Sequence, residues 1–445
     1  MIPDRLTFQL IYEVRHLEVF DISQSNLKRT DATHPPLPGN EVSMRAQHFL
    51  ARAVTAFTCF STGISGTATN VEYSKWMARS TMSRRQGIMT GDGGSSELLQ
   101  AGFTQKTLIA LLKQYPDTPS VRDYIETSAA SVVPYVLNAT HSALSYPMDR
   151  LSNGQALLQF SSPDTQTESF GAAADALRES IDLNRRNSAG GLWYYVYPEW
   201  SYLDGMYSYA PFYTLYAKNR SEGEDVPAET LQEMYFQVDL LWQRTLKKSS
   251  GLLVHGYDAS RTAVWADRVT GASPHVWVRA LGWYTMALVD TLELLPATRT
   301  GSTYKKLLRG KFQSLMGAII AAVDPKTGAW WQVMDQPGRR GNYIESSGSA
   351  MFAYSLLKGA RLGYLDGKLG WDAVRVATQA HTHLTKTFVI HEANQILGYN
   401  GTVSVCSLNS TATFEYYVNR PIEYNNVLGS NAYILASLEV ESLGR

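Results

Sequence analysis

From about residue 71 to the C-terminus, apolar residues return every three or four positions, the period of a helix with one buried face. Trp283, Met286, Ala287, Val289 and Leu294 mark one such face, with Asp290 set into it. The pattern predicts twelve helices, over 71–86, 94–114, 119–138, 148–160, 168–187, 202–218, 227–248, 275–295, 302–323, 344–364, 369–387 and 427–441. Stop signals support several ends, such as Gly363 after Lys358 and Arg361. Only short β-like pieces interrupt, at Ala329–Met334, Thr402–Ser407 and Thr413–Val418. No linker or run of charge divides this region. Twelve helices without a break suggest six helical hairpins. An open solenoid would show a repeat of fixed period, and none is present, so closure into an all-α toroid is expected.

The first residues follow another pattern. Residues 1–43 are polar and mixed, contain Pro-Pro-Leu-Pro, and show no periodicity. Met44-Arg-Ala-Gln-His-Phe-Leu-Ala-Arg52 then opens a basic stretch. A moderately apolar run from Ala53 to Ile64 follows, closed by the small residues Ser65-Gly66-Thr67-Ala68. That is the layout of a secretory signal peptide beginning at Met44. The expectation is a non-native or disordered extension over 1–43, a signal peptide over 44–69, and one helical domain over 70–445. The mature chain would begin near Ala68 to Val71, and the protein would be secreted. Four Asn-x-Ser/Thr sequons, at Asn138, Asn219, Asn400 and Asn409, are compatible with secretion.

Composition narrows the partners. Of 445 residues, 44% are hydrophobic and 18% charged, enough apolar material for a large core. Lys+Arg and Asp+Glu are both 40, and no basic tract exists, which argues against nucleic acid or an anionic membrane as partner. No run of eighteen apolar residues is present, so nothing is expected to span a membrane. Two cysteines, Cys59 and Cys406, exclude a disulfide framework or a cysteine-rich metal site. With 26 Tyr and 10 Trp, aromatics are abundant, a hint of a flat-faced ligand such as carbohydrate.

Those aromatics concentrate in Trp193-Tyr-Tyr-Val-Tyr-Pro-Glu-Trp-Ser-Tyr-Leu-Asp204-Gly-Met-Tyr-Ser-Tyr-Ala-Pro-Phe-Tyr213, whose acidic groups are Glu199 and Asp204. A carboxyl among rings is partly desolvated, which favours its neutral form and suits a general acid. The same segment can equally be core, with Asp204 as a cap. Asp149 lies in a short turn before an apolar helix, in Tyr146-Pro-Met-Asp149-Arg-Leu-Ser-Asn-Gly154, and alone it reads as an N-cap. Leu253-Val-His255-Gly-Tyr-Asp258 pairs an imidazole with a carboxylate, without further ligands for a metal. In Trp277-Val-Arg279-Ala-Leu-Gly-Trp283 a guanidinium sits among indoles. It can grip a carboxylate with two hydrogen bonds, or stack on Trp and brace a loop. The small residues of Ile344-Glu345-Ser-Ser-Gly348-Ser-Ala-Met-Phe352 suit a tight helix entry.

In this order the five motifs resemble glycoside hydrolase family 105, the unsaturated rhamnogalacturonyl hydrolases. The likeness covers about residues 71–441, and the separation of Asp149 from Asp204 also fits. It implies an (α/α)6 barrel without metal or organic cofactor, and an oligosaccharide substrate of unsaturated uronyl-rhamnose type with no obligate protein partner. The reaction implied removes a 4-deoxy-4,5-ene uronate from the non-reducing end of rhamnogalacturonan-lyase products, by hydrating C4=C5. By motif, Asp204 matches the proton donor and Asp149 its assisting carboxylate. His255, Trp277, Arg279, Trp283 and Trp193 match the subsite for the unsaturated sugar, and Arg279 is the expected holder of its carboxylate. Two departures stand out. Leu99-Gln-Ala-Gly102 replaces a Tyr-Glu-x-Gly signature, and Tyr194-Tyr195 lies where relatives often carry basic or imidazole side chains. The alternatives are a glucuronyl-type relative acting on another acidic polysaccharide, and a non-catalytic carbohydrate-binding toroid.

Overall fold

A computed structural model describes residues 72–162, 168–221 and 225–444. The expectations for residues 1–43 and 44–69 therefore lie outside the described residues. Twelve of the helices form two concentric sets. The inner set is α2 (Glu97–Gln114), a 3-10 turn (Met148–Asn153) running into α5 (Gly154–Gln159), α7 (Asp204–Arg220), α9 (Val278–Leu294), α11 (Ser346–Arg361) and α14 (Val427–Ser442). Each packs on the next, and α14 packs back on α2, so the ring closes. The preceding partners are α1 (Tyr73–Ser83), α3 (Pro119–Val136), α6 (Glu168–Asp182), α8 (Ala228–Thr245), α10 (Arg299–Ala321) and α12 (Gly367–Phe388). The architecture is an (α/α)6 barrel.

The burial pattern explains which helix goes where. In α12 only Ala373, Val376, Ala377, Ala380, His381 and Leu384 are buried, one stripe at helical spacing, as an outer helix needs. In α9 every residue from Val278 to Leu292 is buried, and in α11 every residue from Ser346 to Gly359. Such helices are enclosed on all sides. Close approach between α9 and α11 depends on Gly282 and Gly348. A Cβ on Gly282 would come within 2.8 Å of Met351 Sδ, and one on Gly348 within 2.7 Å of a Val278 methyl.

Two short helices were not expected. α4 (Ala139–Ser145) is capped by Asn138, whose side chain accepts from His141 N at 2.9 Å. Thr413–Val418, expected to be β-like, instead carries the helix α13 (Phe414–Val418), capped by Thr413. Thr402–Ser407 contains a single bridge, Val403 to Ile422. Ala329–Met334 makes two, Trp331 to Ile344 and Val333 to Trp277. The strands are three small antiparallel pairs, of which β1 (Trp200–Tyr202) with β4 (Gly256–Asp258) shapes the site. β2 (Leu246–Lys247) pairs with β3 (Leu252–Leu253), and β5 (Val389–His391) with β6 (Leu397–Tyr399).

Candidate active site

The inner helices start at one mouth of the barrel, and there the chemistry collects. Asp204 is the first residue of α7, and Asp149 sits in the turn that feeds α5. Helix N-termini carry partial positive charge, so this mouth favours anionic groups. The β1–β4 pair sets Tyr202 opposite Gly256, and Leu203 N donates to His255 O at 3.0 Å. That pairing places His255 Nε2 3.3 Å from Asp204 Oδ2. His255 is fully buried, and Asp204 is 7% exposed.

On its other side, His255 Nδ1 lies 2.8 Å from the Tyr417 hydroxyl. Burial holds the Tyr417 pKa well above its ordinary range, so the phenol stays protonated beside Nδ1. That contact fixes the ring with its Nε2 edge turned to Asp204. The rings of Tyr202, at 5.3 Å, and Trp277, at 4.7 Å, enclose it.

Asp149 is 2% exposed. Its Oδ2 accepts from the Tyr194 hydroxyl at 2.7 Å, and its Oδ1 is buried without a partner. Burial, reinforced by the negative charge of nearby Asp204, pushes the Asp149 carboxyl up to about 7, against the pull of the Tyr194 hydrogen bond.

The remaining expected residues divide. Trp277 joins Asp149, Asp204 and His255, its indole N–H donating to Gln332 Oε1 at 3.2 Å. Trp283 is 1% exposed, with Phe103 and Tyr207 against its ring at 4.8 and 4.5 Å. Trp193 is half-buried beneath the Arg185 guanidinium, 5.5 Å from its ring. Glu199 is tied down by Ser188 N at 2.8 Å.

Arg279 departs from the expectation that it holds the substrate carboxylate. It is 1% exposed, behind Trp277, and its guanidinium is spent on the protein. Nε donates to Ser347 Oγ at 2.7 Å, Nη1 to Ser404 O at 3.3 Å, and Nη2 to Glu345 Oε1 at 3.3 Å and to Val403 O. Four of its five N–H donors are taken by protein acceptors, which leaves one buried N–H on Nη1 instead of the two-pronged edge expected to grip a carboxylate. Arg279 is a brace between α9, the entry of α11 and the 402–407 segment. Tyr417 and Tyr194 also belong to the site, though the sequence marks the first only within a β-like piece and the second only within the aromatic run. Neither has a motif, since each matters through a partner distant in the chain.

A separate cavity of about 640 Å³ opens between the C-terminal halves of the inner helices. There Asp290 is bound by Lys106 and Lys358, each at 2.7 Å. Burial would raise its pKa, but the two ammonium groups bring it down to about 2. Among the described residues no group of three or more His, Cys, Asp or Glu could hold a metal ion. None of the described helices is long and apolar enough to cross a membrane.

The sequence profile of Glycosyl Hydrolase Family 88 matches residues 73–443. A family 105 glycoside hydrolase of C. acetobutylicum superposes with a TM-score of 0.73 at 30% identity, over 83% of this chain and 99% of that one. The unsaturated glucuronyl hydrolase of Bacillus sp. GL1 shares the fold, with a TM-score of 0.55 at 15% identity, over 83% of this chain and 95% of that one. Protein Atu3128 of Agrobacterium fabrum is 37% identical over 203 residues, spanning 44% of this chain and 85% of its own. The chain belongs to the family 88 and 105 group and is a glycoside hydrolase.

Proposed function

We propose that this glycoside hydrolase removes the unsaturated uronate from the non-reducing end of rhamnogalacturonan-lyase products. The observation that carries the reading is the pairing of Asp204, at the mouth of the barrel, with a buried Asp149 that repels it. Asp204 gives its proton to C4 of the vinyl ether, and positive charge develops at C5 and the ring oxygen. The Asp149 carboxylate stabilises that charge. Water then adds at C5 and returns its proton to Asp204. The hemiketal opens at the C5–ring oxygen bond to a C5 ketone. The hydroxyl freed at C1 belongs to a hemiacetal, which collapses to an aldehyde and releases the aglycone. One water is consumed, and Asp204 ends protonated as it began.

Incubation with lyase-generated disaccharides in D2O tests this. The ultraviolet absorbance of the conjugated C4=C5 uronate should disappear, with deuterium appearing at C4 of the keto acid. Cleavage of saturated uronides at a similar rate, without deuterium at C4, would place the chemistry at the anomeric carbon and sink the reading. A panel of aglycones, with rhamnose against glucosamine or glucose, separates a rhamnogalacturonan enzyme from a glucuronyl-type one.

The Tyr417–His255 contact yields its own expectation. In Tyr417→Phe the imidazole loses its Nδ1 partner, and with it the contact that anchors the ring beside Asp204. One neutral hydrogen bond of about 1 kcal/mol translates to roughly a five- to tenfold fall in kcat. KM should change little, because Tyr417 is behind His255. An unchanged kcat would remove Tyr417 from the site.

Secretion from Met44 completes the proposal. All four sequon asparagines, Asn138, Asn219, Asn400 and Asn409, are exposed, as glycosylation requires. Mass spectrometry of the native protein should find an N-terminus near Ala68 to Val71. Finding residues 1–43 on it would overturn this.

A further inference from the structure

Tyr194 is held more firmly than a residue of a surface loop needs to be. Its N–H donates to Trp200 O at 2.9 Å, and its carbonyl accepts from Met148 N at 2.9 Å, the residue before Asp149. Its ring stacks on Tyr202 with centroids 4.4 Å apart and planes 13° from parallel. Backbone and ring together aim the hydroxyl at Asp149 Oδ2, at 2.7 Å. No other hydrogen bond to the Asp149 carboxylate is present among the described residues, and its second oxygen is buried unpartnered.

The groups around Asp149 do not duplicate that contact. From α7 it faces Asp204, which repels it, and Tyr207. From its own turn comes Arg150, but that guanidinium is turned to Ser180, Asn184 and the carbonyls of Tyr146 and Pro147. Helix α2 meets the turn through Leu98 and Gly102, which bring no charge. Among the described residues the Tyr194 hydroxyl therefore donates the one hydrogen bond that favours the charged form of Asp149 against its burial.

We propose that Tyr194 is a positioning residue: its hydroxyl holds Asp149 as the carboxylate and so keeps the proton of the pair on Asp204. The inference rests on Asp204 as proton donor. With one proton shared between two carboxyls, only the arrangement with Asp204 protonated reacts. A donor on Asp149 stabilises its charged form and leaves the proton to Asp204. Without that donor Asp149 takes the proton, and the pair becomes inert while still holding it.

Tyr194→Phe keeps the ring stack and deletes only the hydroxyl, so it isolates the effect. Loss of a hydrogen bond to a charged group corresponds to about 1–2 pH units in the Asp149 titration. Three changes in the pH–rate profile should appear together. The plateau rate falls by a factor of at most about 10- to 100-fold, the alkaline limb moves up by the logarithm of the same factor, and the profiles of variant and wild type converge at high pH. Convergence follows because, once the pair is empty, the chance of finding the proton on Asp204 no longer depends on Asp149. A merely structural role would lower the rate by one factor at every pH, and that result overturns the proposal.

A second measurement needs no substrate. Carboxyl 13C NMR of aspartate-labelled protein, with the Asp149 signal assigned by its loss in Asp149→Asn, reads the titration directly. Its midpoint should rise by about 1–2 units in Tyr194→Phe; an unmoved midpoint overturns the proposal. If the midpoint moves but the wild type leaves unsaturated uronides intact, the proposed reaction fails and the hold of Tyr194 on Asp149 stands.

Discussion

Asp204→Asn should abolish turnover while the protein folds and binds sugar nearly as before. Amide for carboxyl is isosteric and keeps a polar side chain at the first position of α7, where Asn is well accommodated. The contact with His255 Nε2 at 3.3 Å survives as an interaction with a neutral oxygen. On the proposed reading, what disappears is the proton delivered to C4. Losing a positioned proton donor costs about 10²–10⁴-fold or more in kcat. Steady-state rates on an unsaturated uronyl disaccharide, with sugar binding measured separately, check both halves. A near-normal rate would move the assignment elsewhere.

That expectation rests on residues legible in the sequence, and it is instructive where legibility stopped. All twelve barrel helices lie within a few residues of where the apolar period placed them, because each must bury a stripe or be buried whole. Period shows this directly. Thr413-Phe-Glu-Tyr-Tyr-Val misled because β-branched and aromatic residues favour strands, yet Thr413 accepts from Tyr416 N at 3.2 Å and caps a helix instead. The β1–β4 pair left no trace, since three residues are too few to display alternation.

The site follows the same division. Asp149, Asp204, His255 and Trp277 could be chosen because they recur in recognisable local motifs. Their hydrogen-bond partners could not. Tyr194 and Asp149 are 45 positions apart, His255 and Tyr417 162, and only closure of the ring joins them. The aromatic run itself split in two. Tyr202, Tyr207, Tyr209 and Tyr213 are buried, while Tyr194, Tyr195, Tyr197 and Trp200 stay partly open at the mouth.

Arg279, expected to hold the substrate carboxylate, is bonded to the protein instead, and it gives the second large effect. Arg279→Ala should destabilise the fold rather than weaken recognition of the uronate. Its guanidinium neutralises Glu345, which is 0% exposed, and satisfies the carbonyls of Val403 and Ser404. Glu345 in turn accepts from Gly348 N at 2.7 Å and from Val403 N at 3.1 Å, so it cannot swing out to water. Removing one partner of a buried pair leaves an uncompensated charge and costs about 3–5 kcal/mol. Arg279→Lys restores the charge without the planar fork, and should recover only part of the loss. Thermal or denaturant unfolding measures the effect. The kinetic signature is equally specific. If Arg279 braces Trp277 and the 402–407 segment, a uronate substrate and its methyl ester must lose activity by the same factor. A loss confined to the free acid would mean that the guanidinium leaves Glu345 to meet the substrate, and would return Arg279 to the carboxylate site.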